Sequence, residues 1–203
     1  MVVMKRDIHF FRQFSNLNYS FTEEENSSSG VMIALIVEDK LLLIKRSRSM
    51  PSHKGQVALI GGHRHGNELP LETGKREFLE ETALPLQHFE FITPLPIVYT
   101  ARDVPILPLL AYYHQDASYV RENLLSNGEW EAAFLVEISH LFEDHHWVVA
   151  NRISKTQRQN LLFCSLAEQD ISLLKGSPIY PLVLWGASAR VVENLKNLIL
   201  TRS

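Results

Sequence analysis

Two continuous apolar runs, VMIALIV at residues 31–37 and LLLI at 41–44, flank the polar stretch EDK. This pattern predicts a β-hairpin buried on both faces, because neither run alternates with polar residues. VALIGG (57–62) reads as a further buried strand ending in two glycines. LETGKREFLEETAL (71–84) is helical in character, and the helix should stop near Leu84, which precedes Pro85. FEFIT, LPIVY and PILPLLAYY then read as strands set apart by prolines, and EAAFLVEI (131–138) as another. Near the end, ASARVVENLKNLIL (187–200) places Val191, Val192, Leu195, Leu198 and Ile199 on one helical face. At the other end, DIHFFRQF (7–14) does the same with Ile8, Phe11 and Phe14. Between it and the hairpin, EEEN and SSSG (23–30) read as a loop or short linker, with Glu23 to Glu25 a solvated turn. Hairpins, one strongly charged helix, more strands and a closing helix predict an α/β (α+β) fold with helices on a mixed sheet. No internal repeat or second domain is visible. Residues 1–30 form an N-terminal helix and linker, and 31–203 the main domain.

Composition narrows the class. The chain has 203 residues, 45% apolar and 21% charged, enough to bury a core without disulfides or a structural metal. Its formal charge of -3 argues against a general nucleic-acid binder but leaves room for a local basic pocket. The single cysteine, Cys164, has no partner for an intrachain disulfide, which suits a reducing compartment, and reads as a buried thiol. No run approaches the roughly 18 apolar residues of a membrane span. The opening MVVMKRDIHFF lacks the apolar core of a signal peptide, so the expected location is cytoplasmic.

The charged helix carries the chemistry. Glu77, Glu80 and Glu81 stand at i, i+3 and i+4, so three carboxylates share one face. They repel one another unless they are solvated or something positive lies between them. Arg76 can pair with Glu80 across one turn, but one guanidinium does not offset three negatives. A hard dication such as Mg2+ or Mn2+ does, and it also accepts substrate phosphates.

The flanks extend this into a longer pattern. Gly62 is followed by five residues and Glu68, then seven more and Arg76-Glu77-Phe78-Leu79-Glu80-Glu81-Thr82-Ala83-Leu84. This closely resembles the signature of the Nudix hydrolases, departing only at Ala83, where that family usually has Gly. Either a left-handed helix cap is strained there or the helix runs on to the Leu84–Pro85 boundary. The resemblance implies a Nudix-type α/β/α sandwich with a mixed β-sheet and a loop-helix-loop motif binding Mg2+ or Mn2+. It further implies Glu77, Glu81 and Glu80 as metal ligands with the carbonyl of Gly61 or Gly62, Arg76 holding the glutamates, and Glu68 bracing the loop. A carboxylate from a later loop often serves as base or extra ligand in the family; Glu129 is the candidate and Glu131 the reserve.

Upstream, LLLIKRSRSMPSHKGQVALIGG (41–62) resembles the segment that marks the coenzyme A pyrophosphatase branch, matching at Leu42, Leu43, Arg46, Ser47, His53, Gly55, Gln56, Val57, Gly61 and Gly62. It departs at Ile44, Leu59 and Ile60. IYPLVLWGASARVVENL and YTARDVPILPLL are similar to later segments of that branch, with Ser188 for Thr and without Ser-Gly at 102–103. Independently of the family, Lys45, Arg46, Arg48 and Lys54 fall within ten residues that hold no acid, a local positive patch suited to phosphate. Arg46, Arg48, His53, Lys54 and Gln56 are therefore the candidate substrate-binding residues. His63 and His65 read as loop residues touching substrate or water, and His145 and His146 as surface residues.

The expected reaction is metal-dependent hydrolysis of a pyrophosphate bond in a nucleoside diphosphate derivative, with Glu77 or Glu80 taking the proton of water. Coenzyme A or acyl-CoA is the favoured substrate of the branch. The rivals are ADP-ribose, dinucleoside polyphosphates or nucleoside triphosphates as substrate, and a non-catalytic nucleotide-binding regulator. The resemblance also allows a homodimer, which nothing in the sequence shows.

Overall fold

The structure, a computed structural model, describes residues 7–16, 19–153 and 158–201. The first six residues, on which the reading of the N-terminus partly rests, lie outside it. Helix α1 (Ile8–Arg12) starts where the Asp7 carboxylate accepts the N–H groups of His9 and Phe10, and it buries Phe11. The EEEN stretch corrects the expectation of a loop: it is one helical turn, α2 (Glu23–Asn26). Thr22 and Glu25 cap it reciprocally, each side chain accepting the other's backbone N–H. Glu23 and Glu24 do face solvent.

The expected hairpin forms from β1 (Gly30–Val37) and β2 (Lys40–Arg46), with Val37 opposite Lys40. Its residues alternate between two cores. Ala34, Ile36, Leu41 and Leu43 join one; Ile33, Leu35, Leu42 and Ile44 join the other. The VALIGG stretch is not one strand. Only β3 (Val57–Ala58) pairs with β2, after which the chain switches partner, bridging β1 through Ile60 and His63. The switch lays Gly61 and Gly62 beneath helix α3 (Pro70–Thr82).

The chain continues through β4 (Phe89–Pro94), β5 (Val98–Tyr99), β6 (Pro105–Tyr113), α4 (Ala117–Asn123), β7 (Trp130–Glu137) and α5 (Ile138–Leu141). It ends with β8 (Trp147–Ile153), β9 (Arg158–Leu166), β10 (Ile171–Gly176), β11 (Leu182–Trp185) and α6 (Gly186–Leu200). One mixed sheet runs in the order β4-β6-β1-β2-β3-β11-β9-β8, with β7 also on β2, β10 on β7 and β5 on β6. The β1–β6 and β11–β3 pairs are parallel. Phe78 of α3 packs into one face of the sheet. Phe11 of α1 and Val191, Val192, Leu195 and Ile199 of α6 pack into the other. This is a helix–sheet–helix sandwich.

Helix α3 ends in a left-handed cap, which settles the alternatives left open at Ala83: its φ is 54° and its N–H closes on the Leu79 carbonyl. An alanine in that region carries roughly 1 kcal/mol of strain or more. Ala83→Gly removes the strain but adds unfolded-state entropy, so a net gain of about 0.5–1 kcal/mol is expected. A urea midpoint no higher than that of the parent chain contradicts this.

Candidate active site

Every side chain of the α3 acidic face has a different environment. Glu80 is about half exposed, Glu77 about 13% exposed and Glu81 about 2% exposed. Arg76 ties Glu77 and Glu80 to Glu68. Its Nη1 donates to Glu77 (2.7 Å) and Glu80 (3.1 Å), while Nε and Nη2 donate to Glu68 at 2.8 and 3.0 Å. Nη2 also reaches the carbonyl of His63 (2.8 Å), fixing the loop to the helix. Glu68 additionally accepts from Thr73 Oγ1 and the His65 N–H. Hydrogen bonds from Arg76, above all, hold the Glu68 carboxyl down at about 2, so it stays ionised.

Glu81 is the outlier. One of its oxygens accepts the Gly61 N–H (2.9 Å), while the other, Oε1, is buried and without a hydrogen-bond partner. Burial pushes its carboxyl from 4.5 up to about 8, with repulsion from Glu129 and Glu77 adding to the rise. The nearest positive group is Arg46, whose Nη1 stands 4.0 Å from Oε1 and whose Nη2 stands 3.8 Å from Glu129. The Trp130 indole N–H donates to the Glu81 carbonyl (2.7 Å), tying β7 to the end of α3.

The two glycines position this group. A Cβ on Gly62 would lie 2.3 Å from Glu77 Oε1, so the Glu77 carboxylate rests directly on that backbone. The Gly62 carbonyl accepts the Val31 N–H, which favours Gly61 as the carbonyl free for a ligand role.

The profile of the NUDIX domain matches residues 27–159. The chain belongs to the Nudix family. Nudix hydrolase 3 of Caenorhabditis elegans is 31% identical over 125 residues, covering 59% of this chain and 51% of that protein. The uncharacterized Nudix hydrolase NudL of Enterobacter sp. (strain 638) is 33% identical over 94 residues, covering 45% of this chain and 49% of its own. The chain thus spans about half the length of these curated relatives. Among solved structures, the Nudix hydrolase RenU from M. Smegmatis superposes with a TM-score of 0.52 over 86% of both chains at 15% identity, a likeness of fold.

The donor set of this Nudix motif suits a hard dication. Glu77 and Glu80 share the Arg76 Nη1, and Glu81 carries a buried oxygen that nothing else satisfies. A raised acid pKa gives a sign to follow. Glu81 holds its proton more tightly folded than unfolded, so the stability it contributes is present at low pH and is lost as pH rises from 4.5 through about 8. Without metal, the wild-type melting temperature is therefore expected to fall over that window relative to Glu81→Gln, and added Mg2+ or Mn2+ should cancel the fall. Parallel pH profiles for the two proteins would remove the assignment.

The remaining sequence candidates divide. Arg46 and Glu129 meet at the acidic cluster. Arg48, His53 and Lys54 are exposed on the loop 47–56, which joins the site where the Ser47 N–H donates to the Glu129 carbonyl (2.7 Å). Gln56 pairs with the His53 ring (3.1 Å). Lys45 does not belong to the positive patch. It is buried on the opposite face of β2 and paired with Glu131 (3.1 Å), which takes the reserve candidate out of the cluster. A bulge between β2 and β7 skips Glu131 and so separates it from Glu129. Arg64, not singled out by the sequence reading, donates to the carbonyls of Asn26, Ser28 and Glu68, linking α2 to the catalytic loop. His63 and His65 are exposed, but His146 corrects the surface reading, with only about a sixth of its side chain accessible.

Proposed function

We propose that the chain hydrolyses a pyrophosphate bond in a nucleoside diphosphate derivative, and that coenzyme A or an acyl-CoA is its substrate. The products would be 3',5'-ADP and 4'-phosphopantetheine or its acylated form. The observation that carries the catalytic part is the buried, unpartnered Oε1 of Glu81 beside Glu77 and Glu129. Glu77, Glu80, Glu81 and the Gly61 carbonyl would hold Mg2+ or Mn2+. When bound, such an ion neutralises phosphate charge and makes water more acidic. The protein's own groups do the rest. Arg76 fixes Glu77 over Gly62, and Glu80, open to solvent, or Glu77 accepts the proton of the attacking water. Glu129 stands across the cluster as a further carboxylate. Arg46 is placed to leave its acidic neighbours for a phosphate oxygen once a cation neutralises them.

The coenzyme A reading rests on the exposed Arg48, His53 and Lys54 on the loop that opens from Arg46. Coenzyme A carries a 3'-phosphate besides its pyrophosphate, and this loop offers it a basic rim. The departures at Ile44, Leu59 and Ile60 fall on side chains that are buried in the core. The test is a panel of coenzyme A, acyl-CoA, ADP-ribose, NADH and diadenosine polyphosphates with Mg2+ and with Mn2+, products being identified by phosphorus NMR. Faster hydrolysis of ADP-ribose than of coenzyme A overturns the substrate assignment. Tight binding without turnover overturns the enzyme.

A further inference from the structure

The far end of β7 holds a second group of metal-ligating side chains. Glu129 precedes the strand at the acidic cluster, and α5 begins after Glu137 at the other end, seven rises or roughly 23 Å away. There the chain turns from β7 to β8 through ISHLFEDHH, a His140-x-x-Glu143-x-x-His146 spacing. One ligand atom from each of these three residues lies within 4.8 Å of the others. We propose that His140, Glu143 and His146 bind a transition-metal dication, Zn2+ foremost, at this corner.

One edge of the group already has the length a bound zinc requires. The Nε2 of His146 is 3.4 Å from Glu143 Oε2. The ligand atoms of a tetrahedral zinc, at bonds of roughly 2.0–2.1 Å, stand roughly 3.3 Å apart. Two imidazoles and a carboxylate also suit zinc, cobalt or nickel better than the oxygen-preferring ions expected at α3. The His140 Nε2 is buried and has no hydrogen-bond partner. Asp170 Oδ2 lies 3.3 Å from it, bringing a second carboxylate to the group. The rings of His140 and His146 lie tilted against each other with centroids 3.8 Å apart, and those of His145 and His146 likewise at 3.9 Å.

The corner is held in place without metal. The Trp147 indole N–H donates to the Leu141 carbonyl (2.8 Å), and Lys196 of α6 pairs with Asp144 at 2.6 Å. A bound ion would clip α5 to the start of β8 and close the three ligands without moving the strands.

Zn2+ binding to the full, untagged chain should be measured by equilibrium dialysis in excess Mg2+, which occupies the α3 carboxylates. One Zn2+ per chain is expected. His146→Gln and Glu143→Gln should each weaken it at least about tenfold, whereas His9→Gln, at an exposed residue of α1, should not. Co2+ added to the unsubstituted chain should give the intense visible bands of a tetrahedral site, a readout that needs no variant to fold. No Zn2+ retained above the Mg2+-saturated background, a purely octahedral Co2+ spectrum, or undiminished binding by both His146→Gln and Glu143→Gln overturns the site. None of these readouts uses turnover, so the site can fail while the proposed hydrolysis stands, and the reverse.

Discussion

Glu77→Gln is expected to lower turnover by at least about two to three orders of magnitude, the loss typical when one preorganised charge is removed from a site. The substitution keeps the shape of the side chain over Gly62 and leaves an oxygen for the Arg76 Nη1. What it removes is a negative charge from the set that would hold the cation. Stability should change little, because Arg76 keeps Glu68 and Glu80 and because one carboxylate repelling Glu81 is gone. Steady-state rates with Mg2+ and Mn2+, alongside thermal melts, separate the two effects. Wild-type-like turnover in a folded Glu77→Gln protein would falsify the placement of the catalytic cation.

Neighbouring glycines should fail in different ways. At Gly61 an added Cβ would stand 2.3 Å from the Val31 carbonyl oxygen and 2.9 Å from the Met32 Cα, at a φ of +143°. All of these contacts are backbone of a central strand, so nothing can yield cheaply. Gly61→Ala is expected to cost several kcal/mol, in the range where marginally stable domains unfold. At Gly62 the added Cβ meets only the Glu77 side chain, at 2.3–2.5 Å. That side chain can rotate, so Gly62→Ala should fold yet displace the carboxylate and lose most of its activity. Gly66, with open space around it, is the comparison, since alanine there meets only the ordinary cost of positive φ. Circular dichroism melts and rates on the three variants check the ranking. Equal stability for Gly61→Ala and Gly62→Ala contradicts it.

The acidic face of α3 could be read from the sequence because helical spacing alone brings Glu77, Glu80 and Glu81 together, and the loop spacing to Glu68 and Arg76 carries the brace. The hairpin and the closing helix were legible for the same reason, since their apolar residues declare the faces they bury. Lys45 was not, although strand alternation holds the signal. Adjacent residues of β2 point to opposite faces, so Lys45 and Arg46 cannot share one patch. The turn of α2 also left a mark, Thr22 followed three residues later by Glu25, which a run of acids obscures. β8, β9 and β11 carry polar residues amid short apolar runs and take their register from pairing with one another, while β10 takes its register from β7. The partner switch after Ala58 and the bulge opposite Glu131 have no local signal, because both depend on which strand arrives alongside.

The guanidinium of Arg64 reaches back to the peptide oxygens just ahead of β1 as well as to that of Glu68. Asn26 and Ser28, ahead of the first strand, therefore act as a strut. A shortened chain beginning at Val31 would forfeit the Asn26 and Ser28 acceptors, and the loop that carries Arg64 would keep only its tie to Glu68.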